Sequence, residues 1–422
     1  MTKLKLHWQI LIALALAVVA GLLTGTEAQL FGVSFYAVYD FLGTLFLNAL
    51  KMLIVPLILS SIIVGISGIG SGSALSKLGG KTLLYYMTTS LIAILIGLLV
   101  VNAIAPGVVD GQPAKDIIGL AAADEVVAKV QGKGAGDVVE IFLRMVPTNI
   151  VAAAANGQML GLIFFGLLFG FFMTKIEEAY AETMYNFWQG MFSVMMKITE
   201  WVMQFAPIGV FGLVAKVVAS TGLSAFVPLA WFFISVLGAL LLHFLVVMPL
   251  LLTLVGRVNP LRHYRAMAPA LLTAFSTSSS SATLPLTMEC VEKNAGVSNR
   301  TSSFVLPLGA TVNMDGTALY ECVAAMFIAQ AYGIELGFAT QFTIVLVALL
   351  TSIGVAGIPA ASLVAISIIL ATIGLPAEAI GLILAVDRVL DMCRTAVNVF
   401  SDSCGAVIIA RINGEENVLQ AA

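Results

Sequence analysis

Residues 266–288 read AMAPALLTAFSTSSSSATLPLTM, an apolar run that is cut by Ser276–Ser281 and again by Pro285. Residues 341–370, which read QFTIVLVALLTSIGVAGIPAASLVAISIIL, are interrupted in the same way, and Pro359 lies in the break. Apolar runs of this length belong in a bilayer, where a broken backbone is tolerated only if protein buries it or it lines a cavity. Each stretch therefore predicts a re-entrant helical hairpin with its broken tip near the middle of the membrane.

The composition places the whole chain in a membrane. Of its 422 residues, 60% are hydrophobic and 10% are charged, and the mean hydropathy is +1.05. Soluble domains carry about 25% charged residues, so the chain is predicted to be an all-α polytopic membrane protein whose principal partner is the lipid bilayer. No basic cluster points to a nucleic-acid partner. The cysteines have no paired spacing, so we expect free thiols and neither a disulfide framework nor a metal site at Cys290, Cys322, Cys393 and Cys404.

The apolar runs predict the spans, and the basic residues orient them. The predicted spans lie at about 8–24, 34–68, 83–105, 191–218 and 225–254, with an interrupted apolar region at 138–176. With the N-terminus inside, the inner segments carry Lys3, Lys5, Lys77, Lys81, Lys175, Arg257, Arg262, Arg265, Lys293, Arg300 and Arg411. The short outer connections, near 26–33, 219–224, 332–337 and 374–378, carry none. This asymmetry follows the positive-inside rule and predicts an inner-membrane protein with both termini in the cytoplasm.

The flanks of the two hairpins predict that they enter from opposite faces. Arg262 and Arg265 precede the first hairpin and Lys293 follows it, whereas the flanks of the second are uncharged or acidic. Each hairpin is followed by a span with buried polar groups. A hairpin and a polar helix that recur in opposite orientation form an inverted repeat, and paired interrupted segments are the best sequence pointer to the midplane site of a transporter.

The second of these polar helices carries a stripe of charged and amide side chains. Its members recur every three or four positions, which puts them on one helical face within an arc of roughly 80°; they are Asp387, Asp391, Arg394, Asn398 and Asp402. A structural Asp391–Arg394 ion pair is the alternative interpretation, but desolvation makes such a pair a weak stabiliser. The stripe better matches a zwitterionic substrate with a second carboxylate, whose ammonium Asp391 binds and whose carboxylate Arg394 binds.

Two other motifs supply polar groups at membrane depth. Asn313–Thr317, NMDGT, contains poor helix formers, and its unwound carbonyls and side-chain oxygens suit a hard monovalent cation. Ser278–Ser281 can donate hydrogen bonds to an anionic group, or can serve only as a small-residue packing face. A polar helix contact is the alternative for the first motif. Four isolated polar residues are predicted to make helix contacts only: Lys51, Lys216, His243 and Glu321.

Long motifs in the right order make the chain resemble the dicarboxylate/amino acid:cation symporter family, which includes glutamate transporters. These motifs are KMLIVPLILSSIIVGI, MVPTN, ANGQ, APIGVF, SSSSATLP, LPLGATVNMDGTALY, SIGVAGIP and LDMCRTAVNVFSD. The resemblance implies eight transmembrane helices with two hairpins, a homotrimer, and a transport domain that moves like an elevator against a scaffold. It divides the chain into scaffold residues 1–80, a transport-domain part 81–105, an extracellular loop with scaffold 106–222, and the transport-domain core 223–422.

The resemblance also implies roles for individual residues. For the substrate it implies Ser278, Ser280, Thr317, Ile358, Ser362, Asp391, Arg394, Thr395 and Asn398. One sodium site would use the carbonyls of Gly309, Asn313 and Asn398 with Asp402, and a second would use Tyr86, Thr89, Ser90, Asn313 and Asp315. A third would use carbonyls of Thr311, Ser352, Ile353 and Val355. Sodium is then the coupling ion, and no other cofactor is expected.

The chain departs from its relatives in the position of one arginine. Archaeal members carry an arginine where this chain has Ser278, and eukaryotic members carry one where it has Met392. Here the additional arginine is Arg388, one helical turn before Met392. We hypothesise that Arg388 takes over part of that role as a counter-ion or gating residue, paired with Asp387 or a neighbouring acid. This leaves potassium counter-transport open.

The leading hypothesis is a sodium-driven symporter for aspartate and glutamate. Within the family, a C4-dicarboxylate carrier or a neutral amino acid carrier is the runner-up. The presence of both Asp391 and Arg394 argues against each, because the first carrier needs no partner for an ammonium and the second needs no guanidinium for a side-chain carboxylate. Proton coupling remains an alternative, because acids at membrane depth also relay protons. An intramembrane aspartyl protease that uses Asp315 and Asp391 is the alternative from another class. It is remote, because neither residue lies in a Tyr-Asp or Gly-x-Gly-Asp motif. We also expect no passive channel.

Overall fold

The computed structural model describes residues 6–67, 73–115, 117, 143, 145–156, 158–334, 336–352, 361–376 and 379–419. Nearly all of this part of the chain is helical. The exceptions in regular structure are two short antiparallel ribbons, β1 (Gln29–Leu30) with β2 (Val33–Ser34) and β3 (Val108–Val109) with β4 (Gln112–Pro113). The first seven helices are α1 (Leu6–Thr24), α2 (Phe35–Ser67), α3 (Ser73–Ile104), α4 (Ile150–Ala155), α5 (Met159–Met173), α6 (Glu178–Met203) and α7 (Ala206–Thr221).

The second half of the chain contains the remaining helices. They are α8 (Phe226–Leu242), α9 (Met248–Leu251), α10 (Pro260–Thr277), α11 (Ser280–Glu289), α12 (Asn299–Val312), α13 (Asp315–Ala331), α14 (Phe338–Ser352), α15 (Ala361–Ile373) and α16 (Ile380–Ile412). Within the described residues, four helical segments are long and apolar enough to cross a membrane: Leu78–Ile104, Ala206–Ser224, Phe226–Gly256 and Ile383–Ile412. The all-helical class is confirmed, and so is the expectation of free thiols for all four cysteines.

Helix α2 fills the span predicted at 34–68 and is too long for one upright crossing. It has 33 residues and continues through Pro56. At about 1.5 Å per residue such a helix is about 50 Å long, whereas the hydrocarbon core is about 30 Å thick. Helix α3, with 32 residues, begins at Ser73, ten positions earlier than the span predicted from residue 83.

The span predicted at 191–218 is wrong. The chain instead ends α6 at Met203 and starts α7 at Ala206, so the predicted span straddles a break at Gln204 and Phe205. Pro207 explains the break, because a proline has no backbone N–H to donate and is favoured in the first turn of a helix. Because the residues on both sides of the break are apolar, hydropathy alone does not predict it.

The segment after α8 remains helical but changes its winding. π-helical turns at His243–Val247 and Leu252–Gly256 flank the short α9, so helical backbone extends from Phe226 to Gly256. A π-helical turn inserts an extra residue per turn and is frequent at functional sites. Here it lies at His243, whose side chain is fully buried.

The first hairpin is confirmed as two helices with a broken tip. Helices α10 and α11 pack against each other, and Ser278 and Ser279 join them. Ser278 adopts the left-handed conformation with φ 52°, and the side chain of Ser279 caps α11 by accepting a hydrogen bond from the backbone N–H of Ala282. Helices α14 and α15 pack together as the second hairpin, while its tip, residues 353–360, lies outside the described residues.

The helices pack in two groups. Helix α7 lies against α1 and α2, and α2 also contacts α5 and α6. In the other group α13 is nearly completely buried and packs between α3, α8, α14, α15 and α16, while α16 also contacts α10, α11 and α12. The polar stripe of α16 therefore faces protein and not lipid.

Candidate functional site

The site begins at the break between α12 and α13. Asn313 and Met314 leave the helical conformation, with φ −105°, ψ 94° and φ −122°, ψ 58° respectively, and Asp315 starts α13. The predicted unwinding is thus confirmed for Asn313 and Met314, whereas Asp315–Thr317 are helical. Since the break frees backbone groups of α12 and α13 in the interior, other side chains have to satisfy them.

Asn398 on α16 bonds the free start of α13. Its Oδ1 accepts hydrogen bonds from the backbone N–H groups of Gly316 at 2.8 Å and Thr317 at 3.4 Å, and its Nδ2 donates to Thr317 Oγ1 at 3.0 Å. Gly316 allows this close approach, because a Cβ there would lie 2.7 Å from the carbonyl oxygen of Arg394. The two predicted substrate residues Thr317 and Asn398 are therefore in direct contact.

The carboxylate of Asp315 forms hydrogen bonds with side chains from three other helical segments. Ser90 and Thr89 on α3 donate to its Oδ1 at 2.7 and 3.3 Å. On the other oxygen, Ser401 of α16 donates to Oδ2 at 2.6 Å, and His243 Nε2 lies 3.1 Å from it. All of these side chains are buried.

Asp402 forms the neighbouring part of the same cluster. Asn313 Nδ2 donates to Asp402 Oδ1 at 2.9 Å and to Ser401 Oγ at 3.1 Å, and Thr89 Oγ1 donates to Asn313 Oδ1 at 3.4 Å. The backbone of Gly309 approaches so closely that a Cβ there would lie 2.5 Å from Asp402 Oδ1 and 2.6 Å from the hydroxyl of Tyr86. That hydroxyl donates to the carbonyl of Val305 at 2.7 Å.

These contacts bring together all of the second predicted sodium set and most of the first. Asp315, Asp402 and Asn313 concentrate carboxylate and amide oxygens in a buried place where ionised acids need compensation. Oxygen ligands are those that hard cations prefer. The resemblance assigns Asn398 through its carbonyl, and its side chain forms hydrogen bonds to the start of α13. Of the third set, Ser352 donates to the carbonyl of Leu349 at 2.8 Å, the backbone of Thr311 lies in α12, and Ile353 and Val355 are outside the described residues.

The guanidinium of Arg394 lies between two carboxylates and an aromatic ring. Its Nη2 donates to Asp391 Oδ1 at 2.7 Å and its Nη1 to Asp387 Oδ1 at 3.1 Å. Tyr320 on α13 donates its hydroxyl to the same Asp387 oxygen at 2.8 Å, and Arg394 Cζ lies 3.9 Å from the centre of the Tyr320 ring. This cation–π contact and the paired acids hold the guanidinium plane in one orientation.

Arg388 has Asp391 as its partner. Its Nη1 donates to Asp391 Oδ2 at 3.3 Å, which resolves the choice between Asp387 and a neighbouring acid that the sequence left open. Asp391 thereby receives one guanidinium on each carboxylate oxygen.

Several hydroxyl groups predicted for the substrate are buried near the hairpin tips. Ser278, Ser280 and Ser362 are buried, and neither Ser278 Oγ nor Ser362 Oγ has a hydrogen-bond partner within the described part of the chain. The same holds for Arg394 Nε. Thr395 differs, since its hydroxyl donates to the carbonyl of Asp391 in its own helix at 2.8 Å. Ile358 lies outside the described residues.

Two members of the oxygen cluster around Asp315 were not predicted from the sequence, namely His243 and Ser401. His243 was expected to make a helix contact only, but its ring meets Asp315; a lone ionisable residue at membrane depth was itself the signal. Ser401 was overlooked because only charged and amide groups were counted on the stripe. Lys216 does make the expected helix contact, with Asp40 of α2 at 2.6 Å, and so does Glu321, whose Oε2 accepts a bond from Thr351 at 2.9 Å. The side chain of Lys51 is outside the described residues.

Comparisons with known proteins agree with this architecture. The model of the sodium:dicarboxylate symporter family matches residues 6–412. The chain is 36% identical to the proton/sodium-glutamate symport protein of Geobacillus stearothermophilus, over 99% of this chain and 96% of that protein. It is 34% identical to the proton/glutamate-aspartate symporter of Escherichia coli, over 97% and 93% of the two chains. It is also 36% identical to mouse (Mus musculus) excitatory amino acid transporter 3, over 98% and 87%.

Proposed function

The chain belongs to the sodium:dicarboxylate symporter family, and from that premise we propose that it takes up L-aspartate and L-glutamate together with sodium ions. It is a membrane transporter and not an enzyme, so the aspartyl protease hypothesis is dropped. The similar proteins are named for glutamate or aspartate, which supports an acidic amino acid as the substrate.

One observation carries the proposal: the Asp391–Arg394 pair and the oxygen cluster around Asp315 are linked through Asn398. Asn398 lies on the same helix as the pair and bonds the start of α13, where the cluster forms. A cation bound among Asp315, Asn313 and Asp402 would order the break between α12 and α13. It would thereby place Thr317 and Asn398 for the substrate, so each ligand would stabilise the geometry that the other needs. Such linkage between two sites is reciprocal by thermodynamic necessity.

The substrate is proposed to bind with its side-chain carboxylate on Arg394 and its ammonium on Asp391. Three buried donors support this: the hydroxyls of Ser278 and Ser362 and the Nε of Arg394. Within the described residues none of them has a hydrogen-bond partner, and a carboxylate could be the acceptor. Carboxylate binding by a guanidinium is bidentate and charge-assisted, so it discriminates against side chains without the acid group.

An elevator mechanism in a homotrimer of the inner membrane, with cytoplasmic termini, completes the proposal. Helices α1, α2 and α5–α7 pack more closely among themselves than against the group around α13, which α7 contacts through α16, and this supports a scaffold that is distinct from a transport domain. In this assignment residues 1–80 and 106–222 belong to the scaffold side, and residues 81–105 and 223–422 to the transport domain. Chemical cross-linking in native membranes would test the trimer.

Uptake driven by separately imposed gradients tests the function. Purified protein in liposomes should accumulate labelled L-aspartate when a sodium gradient is imposed, and unlabelled L-glutamate should compete. Failure to accumulate aspartate under a sodium, a proton or a combined gradient would overturn the proposal. Serine and succinate serve as competitors that lack, respectively, the side-chain carboxylate and the ammonium.

Replacing the guanidinium should change which amino acids are taken up. We expect Arg394→Cys to abolish aspartate uptake and to permit some uptake of neutral amino acids, because Asp391 remains for the ammonium while the carboxylate loses its partner. Labelled aspartate and serine uptake measure the two activities. Unchanged aspartate affinity in this variant would contradict the assignment of Arg394.

Proton coupling is the second candidate, and Glu321 favours it. This acid on α13 is fully buried, its Oε2 accepts a bond from Thr351, and its Oε1 has no partner among the described residues. A buried carboxylate that forms no ion pair, as is the case for Glu321 among the described residues, is costly unless a proton neutralises it. Aspartate uptake that follows an imposed pH gradient in the absence of sodium would establish this mode, while uptake that requires only sodium would exclude it.

A further inference from the structure

Arg388 provides a second guanidinium for the carboxylate of Asp391 in the candidate site. It lies on α16 one turn before Asp391 and Met392, and its Nη1 donates to Asp391 Oδ2 at 3.3 Å. The other oxygen of Asp391 accepts the 2.7 Å bond from Arg394. The carboxylate that is proposed for the substrate's ammonium is therefore engaged on both oxygens.

The four charged side chains of this network sum to zero. Asp387 and Asp391 contribute two negative charges, and Arg388 and Arg394 contribute two positive charges. An ammonium that approaches Asp391 thus meets a carboxylate whose charge is already compensated. It can gain a full ion pair there only if one guanidinium withdraws.

Arg388 is the guanidinium that can withdraw. Arg394 has two carboxylate partners, lies over the Tyr320 ring, and is 1% exposed. Arg388 has one ion-pair partner within the described residues. Its 3.3 Å bond to Asp391 is longer than the 2.7 Å bond from Arg394 to the same carboxylate, and its side chain is 11% exposed. A long side chain with one ion pair and no ring contact among the described residues loses less on moving than one with two ion pairs and a stacked ring.

We propose that Arg388 is a specificity-determining residue that occupies the ammonium's place on Asp391 until an amino acid displaces it. The inference rests on the proposed function. An amino acid substrate exchanges its own ammonium for Arg388. A dicarboxylate without an amino group leaves the Arg388–Asp391 pair intact and meets a site of zero net charge. Arg388 therefore weakens the preference of the site for substrates that carry an ammonium.

Removing Arg388 should sharpen that preference. Without it the network carries one net negative charge, which opposes a dianion such as succinate, while Asp391 becomes available to an ammonium. We expect Arg388→Met to raise the selectivity for L-aspartate over succinate about tenfold or more, which corresponds to about 1.4 kcal/mol. Arg388→Lys keeps the charge and should remain within a few-fold of the wild type.

The experiment compares these variants in proteoliposomes. The KM for labelled L-aspartate and the inhibition constant of succinate are measured for the wild type, Arg388→Met, Arg388→Gln and Arg388→Lys. Arg300→Met is the matched control, since Arg300 lies in the first turn of α12 and lines a different cavity. Thermal melting of each purified variant identifies any that does not fold, and the Gln variant then replaces the Met variant.

The outcomes separate this inference from the proposed function. A selectivity ratio that rises in the Met or Gln variant and not in the Lys or Arg300 variant supports it. An unchanged ratio overturns it, as does succinate that fails to inhibit the wild type at millimolar concentration. No aspartate uptake by the wild type under any gradient overturns the proposed function itself. A merely structural role for Arg388 would alter both ligands equally and leave the ratio unchanged.

Discussion

Asp315 is the residue on which the candidate cation site converges. It accepts hydrogen bonds from Ser90 and Ser401, and His243 Nε2 faces its Oδ2. Because an ionised carboxylate only accepts, the proton of the imidazole lies on Nε2 when Asp315 is charged. His243 therefore acts as a donor that orients Asp315, with its other nitrogen lacking a partner in the described residues.

Loss of this donor should weaken cation binding. We expect His243→Leu to raise the sodium concentration for half-maximal aspartate uptake about tenfold, because Asp315 Oδ2 then keeps, among the described residues, only the bond from Ser401 and a hydrogen bond to a charged group contributes about 1.5–3 kcal/mol. His243→Gln, which retains an N–H donor, should recover part of the effect. The sodium dependence of uptake is the measurement, and maximal uptake at saturating sodium should be largely retained.

His263 is the control for this residue. It is equally buried, but its Nε2 lies 2.9 Å from Ser403 Oγ and not against a carboxylate. His263→Leu should leave the sodium dependence unchanged. An equal shift in both variants would mean that His243 contributes only to packing.

At the scale of elements, the start of α13 lies directly against the backbone of α16. Gly316 makes this contact, since a Cβ at this position would lie 2.7 Å from the carbonyl oxygen and 3.1 Å from the Cα of Arg394. The close approach also lets Asn398 reach the backbone of Gly316. The geometry of both ligand sites thus depends on one interhelical distance.

A methyl group at this contact should separate the two helices. We expect Gly316→Ala to destabilise the protein by about 1–3 kcal/mol, as overpacking does, and to reduce aspartate uptake. Gly238→Ala on α8 is the control, because nothing lies within 4 Å of a Cβ there and alanine favours the helix. Melting temperature and uptake of both purified variants check this. Wild-type values for Gly316→Ala would contradict the contact.

At the scale of the whole molecule, the segment after α16 ties distant parts of the chain together. Glu415 accepts hydrogen bonds from the backbone N–H of Ser298 at 2.8 Å and from Thr301 Oγ1 at 2.5 Å, at the start of α12. The backbone N–H of Leu419 donates to the carbonyl of Ala295, and Lys81 of α3 donates to Asn413. The ends of α3, the first hairpin, α12 and α16 are therefore held as one unit.

Protonation of Glu415 should loosen this attachment. Partial burial raises the pKa of Glu415, but hydrogen bonds from Thr301 and Ser298 lower it by more, so its net pKa lies below the ordinary value. The stabilisation is therefore present above the unfolded pKa of about 4.3 and is lost as the pH falls through the lower folded value. We expect Glu415→Gln to melt at a lower temperature than the wild type at pH 7, with the difference shrinking in acid.

A surface acid provides the comparison for this pH dependence. Glu200 forms an exposed ion pair with Lys197, and such pairs contribute little to stability. Glu200→Gln should melt like the wild type at every pH. A Glu415→Gln difference that persists in strong acid would show that the effect does not come from the carboxylate charge.

Local chemistry in the sequence determined the class, the two interrupted segments and the polar stripe, whereas the sodium sets came from the family resemblance. Apolar runs, the serine tip and the break at Asn313 are properties of neighbouring residues, and the stripe of α16 follows from helical periodicity. The end of α6 was not predicted because the residues on both sides of the break at Gln204 and Phe205 are apolar, and hydropathy does not register a break between two helices. Proline placement at Pro207 was the available signal.

Tertiary structure alone decided which polar groups meet. Asp315 and His243 are 72 residues apart in the chain, and Gly316 and Asn398 are 82 apart. No local pattern encodes such pairs, because they depend on how the helices pack and on the register that a π-helical turn sets at His243. The partner of Arg388 was undecided for the same reason: Asp387 and Asp391 are both within reach along the sequence. The rotamers that packing allows placed its guanidinium on Asp391.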